Sequence, residues 1–300
     1  MPGNHYIGWE LLTTNDSPAT DALSRELRAS DESLALVTSE DLSLLYHRPE
    51  SLIHLRDVVA ASGFHPKIVV YFRAHAPYAE SMYVERVKHD YVRPLGGYID
   101  DVLRTGVYLP EGTLIRLEFD YPRLLAPFVA AFGRENIIIR PYRPSADPMH
   151  LFRDFLGIVA GEYPVLAQSN LQLTIPQARA NQSLTFWELV RGAHAVCTPG
   201  RTPSIAEDLA AAMAPNDRSL YETKVMLLTR DEHLRIVERF AADTAAIEHD
   251  HGITLEGAHP EEIPPADDPR WTIAQQQRAI YDRLVDLWLT RKAAAPPPAE

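Results

Sequence analysis

An arginine and a serine eight residues apart, Arg73 and Ser81, have the residue types and the spacing to bind an anion together. Residues 67–72 (KIVVYF) are apolar, β-branched and aromatic, which predicts a strand buried on both faces that ends at Arg73. Pro77 predicts the start of a helix directly afterwards. Open α/β sheets bind ligands at the carboxyl ends of their strands, where helices also direct free N–H groups. Ser81, in about the second turn of that helix, could share an anion with the guanidinium.

The segments before this pair alternate between predicted helices and strands. Ser17 and Pro18 fit the cap and the first residue of a helix, and Pro49 starts a second helix that Gly63 ends. Residues 34–38 predict a strand between these helices. This order is typical of parallel βαβ units with right-handed crossovers. The predicted fold is therefore a three-layer α/β domain with a parallel sheet and a helical C-terminal extension.

Proline and glycine interrupt residues 90–112, which predicts an irregular segment of the kind that covers ligand crevices. The predicted elements that follow are a short strand at residues 112–119, a helix at 122–132, a third parallel strand at 137–140, and a helix that starts at Asp147 and Pro148.

The C-terminal part of the sequence predicts helices. Thr229 and Glu232 form a capping-box pattern for a helix that Gly252 follows. Beyond it, an acidic, proline-rich stretch precedes an amphipathic one. The predicted division is an α/β domain at residues 1–256, a linker at 257–270, a helix at 271–292 and a disordered tail at 293–300.

Composition and charge narrow the classes of function. The 300 residues are 46% hydrophobic, enough for one large or two modest domains with real cores. A net charge of −12 argues against a general nucleic-acid or anionic-membrane surface, so neither partner is expected. The single cysteine, Cys197, excludes an intramolecular disulfide and provides no metal motif, and no run reaches the roughly 18 apolar residues of a membrane span. Without a signal-peptide layout, the expected compartment is the cytoplasm.

The spacing of Arg73 and Ser81 resembles the 3′-phosphate grip of sulfotransferases that use PAPS (3′-phosphoadenosine-5′-phosphosulfate). In that family a strand ends in arginine, and a serine follows at the same distance on the next helix. The resemblance to bacterial members covers roughly residues 33–252. The other similar segments are residues 33–41 (SLALVTSED), 119–121 (FDY) with Leu124, Leu125, Phe132 and Gly133, 136–142 (NIIIRPY), 151–158 (LFRDFLGI), 179–184 (RANQSL) and 228–251.

The resemblance implies a P-loop-like fold and transfer of a sulfuryl group from PAPS to a hydroxyl or amine acceptor, with carbohydrate as one acceptor class. The released product would be adenosine 3′,5′-bisphosphate. Arg73 and Ser81 would bind the cofactor. Arg179 and Ser183 lie in a stretch similar to a cofactor-flanking loop of the family, although Asn181 between them also fits a helix cap.

Sulfuryl transfer to a hydroxyl needs a base that takes the acceptor's proton while the sulfur–oxygen bond forms. Some sulfotransferases that act on sugars use a glutamate and others a histidine. Glu40 is the candidate by position, because it follows the predicted strand at residues 34–38. His75, two residues beyond Arg73, is the alternative base. Glu40 also fits the first turn of a helix that starts near Asp41, and His75 also fits a solvated loop histidine.

The sequence departs from the family before Ser33. Family members open with a strand and a Lys/Gly/Thr-rich loop that wraps the 5′-phosphosulfate, and the first 32 residues contain nothing similar. Loss of a strand inside the sheet would leave buried backbone groups unpaired, at about 1 to 3 kcal/mol each, so a late start is expected rather than a natural deletion. Two alternatives stay open: a non-catalytic member that binds adenosine 3′,5′-bisphosphate or a glycan, and an unrelated α/β nucleotide-binding protein such as a kinase-like one.

Overall fold

The computed structural model describes residues 5–14, 17–89, 91–110, 113–145, 147, 149–162, 184–198, 205, 208–209 and 217–294. The chain divides into two compact units. The first contains Met1–Arg140 and Arg230–Pro264, and the second contains Pro141–Thr229 and Pro265–Glu300. The described part is mostly helical, with a small parallel sheet of two strands.

Helices and short strands alternate irregularly along the chain. The helices are α1 (His5–Thr13), α2 (Pro18–Ala29), α3 (Pro49–Ala61), α4 (His75–Lys88), α5 (Leu95–Thr105), α6 (Tyr121–Phe132), α7 (His150–Glu162), α8 (Phe186–Cys197), α9 (Arg230–Arg239), α10 (Ala241–His251) and α11 (Pro269–Ala294). The strands are β1 (Ile68–Phe72), β2 (Val107–Tyr108), β3 (Leu117–Glu118) and β4 (Ile137–Pro141). Short 3₁₀ helices cover Glu40–His47, Arg134–Asn136, Asp217–Glu222 and Pro260–Glu262.

The sheet that contains β1 is small. β1 pairs with β4, and β2 pairs with β3 in a separate antiparallel ladder in which Val107 lies opposite Glu118. Parallel strands need a long crossover between them, and α4, α5 and α6 all lie between β1 and β4 along the chain. The strands predicted at residues 67–72 and 137–140 are both present and belong to one parallel sheet, as predicted.

Several helix starts follow the local signals in the sequence. The Ser17 side chain accepts a hydrogen bond from the Thr20 N–H at the start of α2, and α3 begins at Pro49. α6 begins one residue after Asp120, whose carboxylate accepts from the Arg123 N–H at 2.8 Å. These signals work because the first N–H groups of a helix have no partner within it and a short polar side chain supplies one.

The strand predicted at residues 34–38 is wrong. This segment has no regular secondary structure, and Leu36 within it is 52% exposed. A strand is stabilised by hydrogen bonds to a neighbouring strand, and within the described residues β1 pairs with β4 alone. The apolar run by itself therefore does not form a strand.

The irregular segment predicted at residues 90–112 is also wrong, because it contains α5 and β2. Leu95, Tyr98, Ile99 and Val102 recur at helical spacing and are all buried. The pair Gly96 and Gly97 lowers helix propensity by about 1 kcal/mol per residue. Burial of one apolar face offsets that cost, since packing contributes more to a helix in a protein than propensity does.

The helix predicted from Thr229 to Gly252 is present but interrupted. α9 ends at Arg239, Phe240 lies outside both helices, and α10 ends at His251, capped by Gly252 in the left-handed conformation (φ 62°). The Phe240 side chain is fully buried. The break therefore coincides with a ring that is inserted into the core of the first unit.

In the second unit, α8 begins with a capping box formed by Thr185 and Glu188. The residues predicted as the C-terminal helix form α11, in which Trp288 is fully buried.

Between α10 and α11, the residues predicted as a linker include the 3₁₀ helix at Pro260–Glu262 and a buried Ile263. Among the described residues, no helix has the combination of length and apolar character that a membrane crossing requires.

Candidate functional site

The candidate site is the corner where β1 ends and α4 begins. β1 ends at Phe72, Arg73 and Ala74 form the connection, and α4 starts at His75. Arg73 is half-buried at the carboxyl end of the strand. The predicted strand, arginine and helix are therefore present in the expected order. The helix starts two residues before Pro77, which is therefore its third residue. A proline is tolerated there because the N–H groups of the first turn have no hydrogen-bond partner within the helix.

Four rings stack at this corner. Tyr121 lies between Phe72 and His75, with both ring centroids at 4.1 Å, and Phe240 stacks on His75 at 4.5 Å. The Tyr121 hydroxyl donates to the Arg73 carbonyl at 2.5 Å. Since Phe72 and His75 flank Arg73 in the sequence, one tyrosine contacts both sides of the corner and its backbone. The position of the Arg73 main chain is therefore defined by α6.

His75 is 2% exposed, so the structure places this candidate base in the core. Its Nε2 lies 2.9 Å from the Phe119 carbonyl, which can only accept, so Nε2 carries the proton. Nδ1 then accepts from the Thr244 hydroxyl at 3.4 Å. Burial lowers the pKa of His75 to about 3, while the hydrogen bond to Phe119 opposes that shift. The imidazole is neutral at neutral pH and both nitrogens have partners within the protein.

Glu40, the other candidate base, is exposed at the first position of the 3₁₀ helix Glu40–His47. The Ser39 side chain caps this helix by accepting from the Asp41 N–H at 3.1 Å. The Glu40 carboxylate makes no hydrogen bond or ion pair within the described part of the chain. Its position in the first turn is favourable for an acidic side chain irrespective of any catalytic role.

Ser81 is the seventh residue of α4 and is exposed. At 1.5 Å rise per residue, it lies about 9 Å along the helix axis from His75. The structure therefore keeps the predicted arrangement along the chain, with Arg73 at the strand end and Ser81 at the end of the second helical turn. Arg179 and Ser183, the other predicted cofactor-binding residues, lie outside the described residues.

A group of charged residues lies next to the ring stack, and no sequence motif predicted it. Glu118 is buried, and both of its oxygens accept from Arg123, at 2.6 and 2.7 Å. The same carboxylate accepts from the backbone N–H groups of Phe119 and Asp120. The hydrogen bonds that Arg123 donates to Glu118 raise the pKa of its guanidinium.

Asp243, in the first turn of α10, contributes a different kind of carboxylate. Its Oδ2 atom is buried and has no hydrogen-bond partner within the described residues. Burial raises the pKa of Asp243, and repulsion from Asp120 raises it further, while Arg239 opposes the shift. No local pattern predicts the repulsion, because Asp120 lies more than 100 residues earlier in the chain.

The described residues contain no group of histidine, cysteine or acidic side chains that could hold a metal ion. Searches with protein-family models, against curated protein sequences and against solved structures found no match. The function must therefore be argued from the residues of the site themselves.

Proposed function

We propose that this protein is a sulfotransferase-like enzyme that binds PAPS at the carboxyl end of β1 and transfers its sulfuryl group to a hydroxyl or amine acceptor, of which carbohydrate is one class. The observation that carries the proposal is the position of Arg73, half-buried between a strand of a parallel sheet and the first turn of α4. The proposal includes a three-layer P-loop-like arrangement in which β1 and β4 are adjacent parallel strands, and a cytoplasmic location.

Arg73 supplies the chemistry that a phosphate group requires. A guanidinium presents several N–H donors in a planar fork and stays charged at any physiological pH. The backbone N–H groups at the start of α4 add partial positive charge at the same edge of the sheet. Tyr121 supports this arrangement, since its hydrogen bond to the Arg73 carbonyl orders the corner before any ligand binds.

In the proposed reaction, an acceptor oxygen forms a bond to sulfur while the bond between sulfur and the 5′-phosphate oxygen breaks. The acceptor proton moves to a base, and adenosine 3′,5′-bisphosphate leaves. Because both nitrogens of His75 are engaged in the core, Glu40 is the more accessible of the two predicted bases, although no strand at residues 34–38 leads it to the edge of the sheet. Its carboxylate is exposed and can receive a proton.

The test is a calorimetric titration of the full chain with adenosine 3′,5′-bisphosphate, with adenosine 5′-phosphate in parallel. We expect tighter binding of the bisphosphate, and we expect Arg73→Ala to weaken it about 10- to 100-fold, because a charge-assisted hydrogen bond contributes about 1.5 to 3 kcal/mol. Lys67→Ala is the matched control, since it removes a cation from the opposite end of the same strand. Equal affinities for the two nucleotides would reject the 3′-phosphate site.

A non-catalytic binding protein is the second candidate, and the burial of His75 favours it because one of the two predicted bases is withdrawn from solvent. The two candidates differ in turnover. Consumption of PAPS in the presence of carbohydrate acceptors, reduced in Glu40→Gln, would support the enzyme. Arg73-dependent binding of the bisphosphate without consumption of PAPS would support the binding protein.

A further inference from the structure

Residues 33–38 (SLALVT), called the connecting segment below, join α2 to the 3₁₀ helix Glu40–His47 and belong to neither. Ser30 caps the end of α2, and the Ser39 side chain caps the start of the 3₁₀ helix. The backbone of both serines is extended, and the chain makes no turn at residues 34–38. The connecting segment is therefore an extended stretch that is anchored by a helix cap at each end.

The backbone of the connecting segment forms no hydrogen bond within the described part of the chain. The hydrogen bonds next to it in the sequence belong to its neighbours. The Glu32 N–H donates to the Ser30 hydroxyl at 3.2 Å, and the Asp41 N–H donates to the Ser39 hydroxyl at 3.1 Å. Since backbone N–H and carbonyl groups that leave water need a partner, those of the connecting segment are available to another chain.

The side chains of the connecting segment are uncharged and include the β-branched residues Val37 and Thr38. Leu36 is 52% exposed, Ala35 and Thr38 are also exposed, and Leu34 and Val37 are half-buried. Short apolar and β-branched runs without charge or proline pair readily with other strands. An exposed extended stretch with unpaired backbone groups is therefore a template for strand addition.

Acidic residues flank the connecting segment on both sides, Asp31 and Glu32 before it and Glu40 and Asp41 after it. Like charges directly opposite each other destabilise a strand pair, and opposite charges stabilise it. If two copies of the segment paired in antiparallel fashion about Leu36, residue 32 of each copy would lie opposite residue 40 of the other. The charges therefore disfavour a second copy and favour a partner strand that is basic at both ends.

We propose that the connecting segment is a docking strand, to which an extended segment of a partner protein with a lysine or arginine at each end adds as a β-strand. The partner supplies the missing backbone hydrogen bonds, and its basic ends pair with the acidic flanks. Because both ends of the docking strand are already anchored, less conformational freedom is lost on binding. The inference is independent of the PAPS proposal, since it requires neither Arg73 nor a nucleotide.

Residues 67–73 of this chain (KIVVYFR) provide a probe with the required pattern, because β1 occupies Ile68–Phe72 between a lysine and an arginine. A fluorescent synthetic peptide of this sequence is kept at trace concentration while the full chain is titrated, and binding is measured by fluorescence anisotropy. The control peptide EIVVYFE has acidic ends. We expect about tenfold tighter binding of KIVVYFR, with a difference that shrinks as sodium chloride is added.

Two proline variants test whether the backbone makes the contact. Successive N–H groups of a strand point to opposite edges, so a partner on one edge bonds to the N–H of Leu36 or of Val37 but not to both. One of Leu36→Pro and Val37→Pro should therefore weaken binding of KIVVYFR about tenfold, and the other much less. Neither should lower Tm by more than about 2 °C, since these N–H groups have no partner within the described residues.

A charge variant tests the choice of partner. Glu32→Lys should weaken binding of KIVVYFR and strengthen binding of EIVVYFE, because it reverses the charge at one end of the docking strand. Glu26→Lys is the matched control, since it makes the same change at an exposed position of α2 and should bind both peptides as the wild type does. Arg73→Ala should also bind them unchanged, which separates this surface from the proposed 3′-phosphate site.

Three results would overturn the proposal. The first is equal affinity for the two peptides, or no saturable binding of either up to about 1 mM protein. The second is the same loss of binding in Leu36→Pro and Val37→Pro. The third is a dimer in analytical ultracentrifugation that both proline variants lose, which would identify a second copy as the occupant.

Discussion

Two charged side chains in the interior of the first unit differ in how the fold compensates them. Glu118 accepts hydrogen bonds from Arg123 and from two backbone N–H groups. Arg86 has two buried nitrogens without an acceptor in the described part of the chain. A buried charge that has all its hydrogen-bond partners within the protein has a structural role. A buried charge whose partners are missing lowers stability, because its lost hydration is not replaced by contacts within the protein.

The second unit contains a further example of a compensated charge. Asp208 is buried, and its two oxygens accept from the Trp288 indole at 2.9 Å and from Arg291 at 2.6 Å. His194 lies 3.7 Å from the same carboxylate. Although a histidine beside an aspartate resembles a catalytic pair, the full set of donors around Asp208 favours a structural role.

Removal of Glu118 should produce the largest effect. We expect Glu118→Ala to lower the free energy of unfolding by about 3 kcal/mol, since it leaves the Asp120 N–H without its acceptor and Arg123 without its partner. Urea denaturation measures this loss. Glu85→Ala is the control, because Glu85 is in an exposed pair with Lys88 and should change stability by less than about 1 kcal/mol.

The comparison predicts opposite signs for the two interior charges. Arg86→Met should stabilise the protein, because it removes a partly buried charge that lacks partners in the described part of the chain and keeps the apolar stem, whereas Glu118→Ala should destabilise it. Urea denaturation of both variants measures the two signs. If both substitutions destabilise the protein by similar amounts, then Arg86 is compensated by something other than hydrogen bonds and ion pairs, and the contrast between these two residues is wrong.

His75 should give the protein a specific sensitivity to acid. Its folded pKa of about 3 lies below the ordinary value of 6.5, so between these values the unfolded chain binds a proton that the folded chain does not. Stability is therefore full above about pH 6.5 and falls as the pH decreases, by up to about 1.4 kcal/mol per pH unit. The free energy of unfolding of His75→Gln, measured between pH 7 and pH 4, should have a smaller slope than that of the wild type.

The difference between the two slopes is the informative quantity, because carboxylates whose pKa values are lowered in the folded state, such as Asp101, contribute equally to both proteins. Parallel pH profiles would show that His75 takes up a proton in the folded protein with the same pKa as in the unfolded chain. That result would make His75 available again as a base for a bound acceptor.

The smallest predicted effect is at the ring stack. Tyr121→Phe keeps the stack and removes only the hydroxyl that donates to Arg73, so it should cost about 1 kcal/mol of stability. If Tyr121 positions Arg73 for a phosphate group, then the affinity for adenosine 3′,5′-bisphosphate should also fall severalfold, and that for adenosine 5′-phosphate should not. Calorimetry on the same samples tests this, and a loss of stability with no change in either affinity would limit Tyr121 to a structural role.

Local signals in the sequence were sufficient for much of the first unit. The cap at Ser17, the start at Pro49 and the strand that ends just before Arg73 all follow from residue type and spacing within a few positions. The strand predicted at residues 34–38 failed because a strand depends on a neighbour elsewhere in the chain. α5 was not predicted because its two adjacent glycines are typical of turns, although four apolar residues around them have helical spacing.

The candidate site was predictable only in part. Arg73 at a strand end could be recognised from the sequence, but the state of His75 could not, since its two hydrogen-bond partners lie 44 and 169 residues away. The contacts of Tyr121 could not be predicted for the same reason, because its ring lies between two residues that precede it by more than 40 positions. Neither residue type nor spacing carries information about such contacts.

The sequence by itself determined the short-range features of this protein: where several helices begin, and that a strand ends directly before Arg73. The tertiary structure alone decided which charged and polar groups are buried and which of those have partners. The physical reason is that capping and helical periodicity act over a few residues, whereas burial and the pairing of charges depend on elements that are distant in the chain.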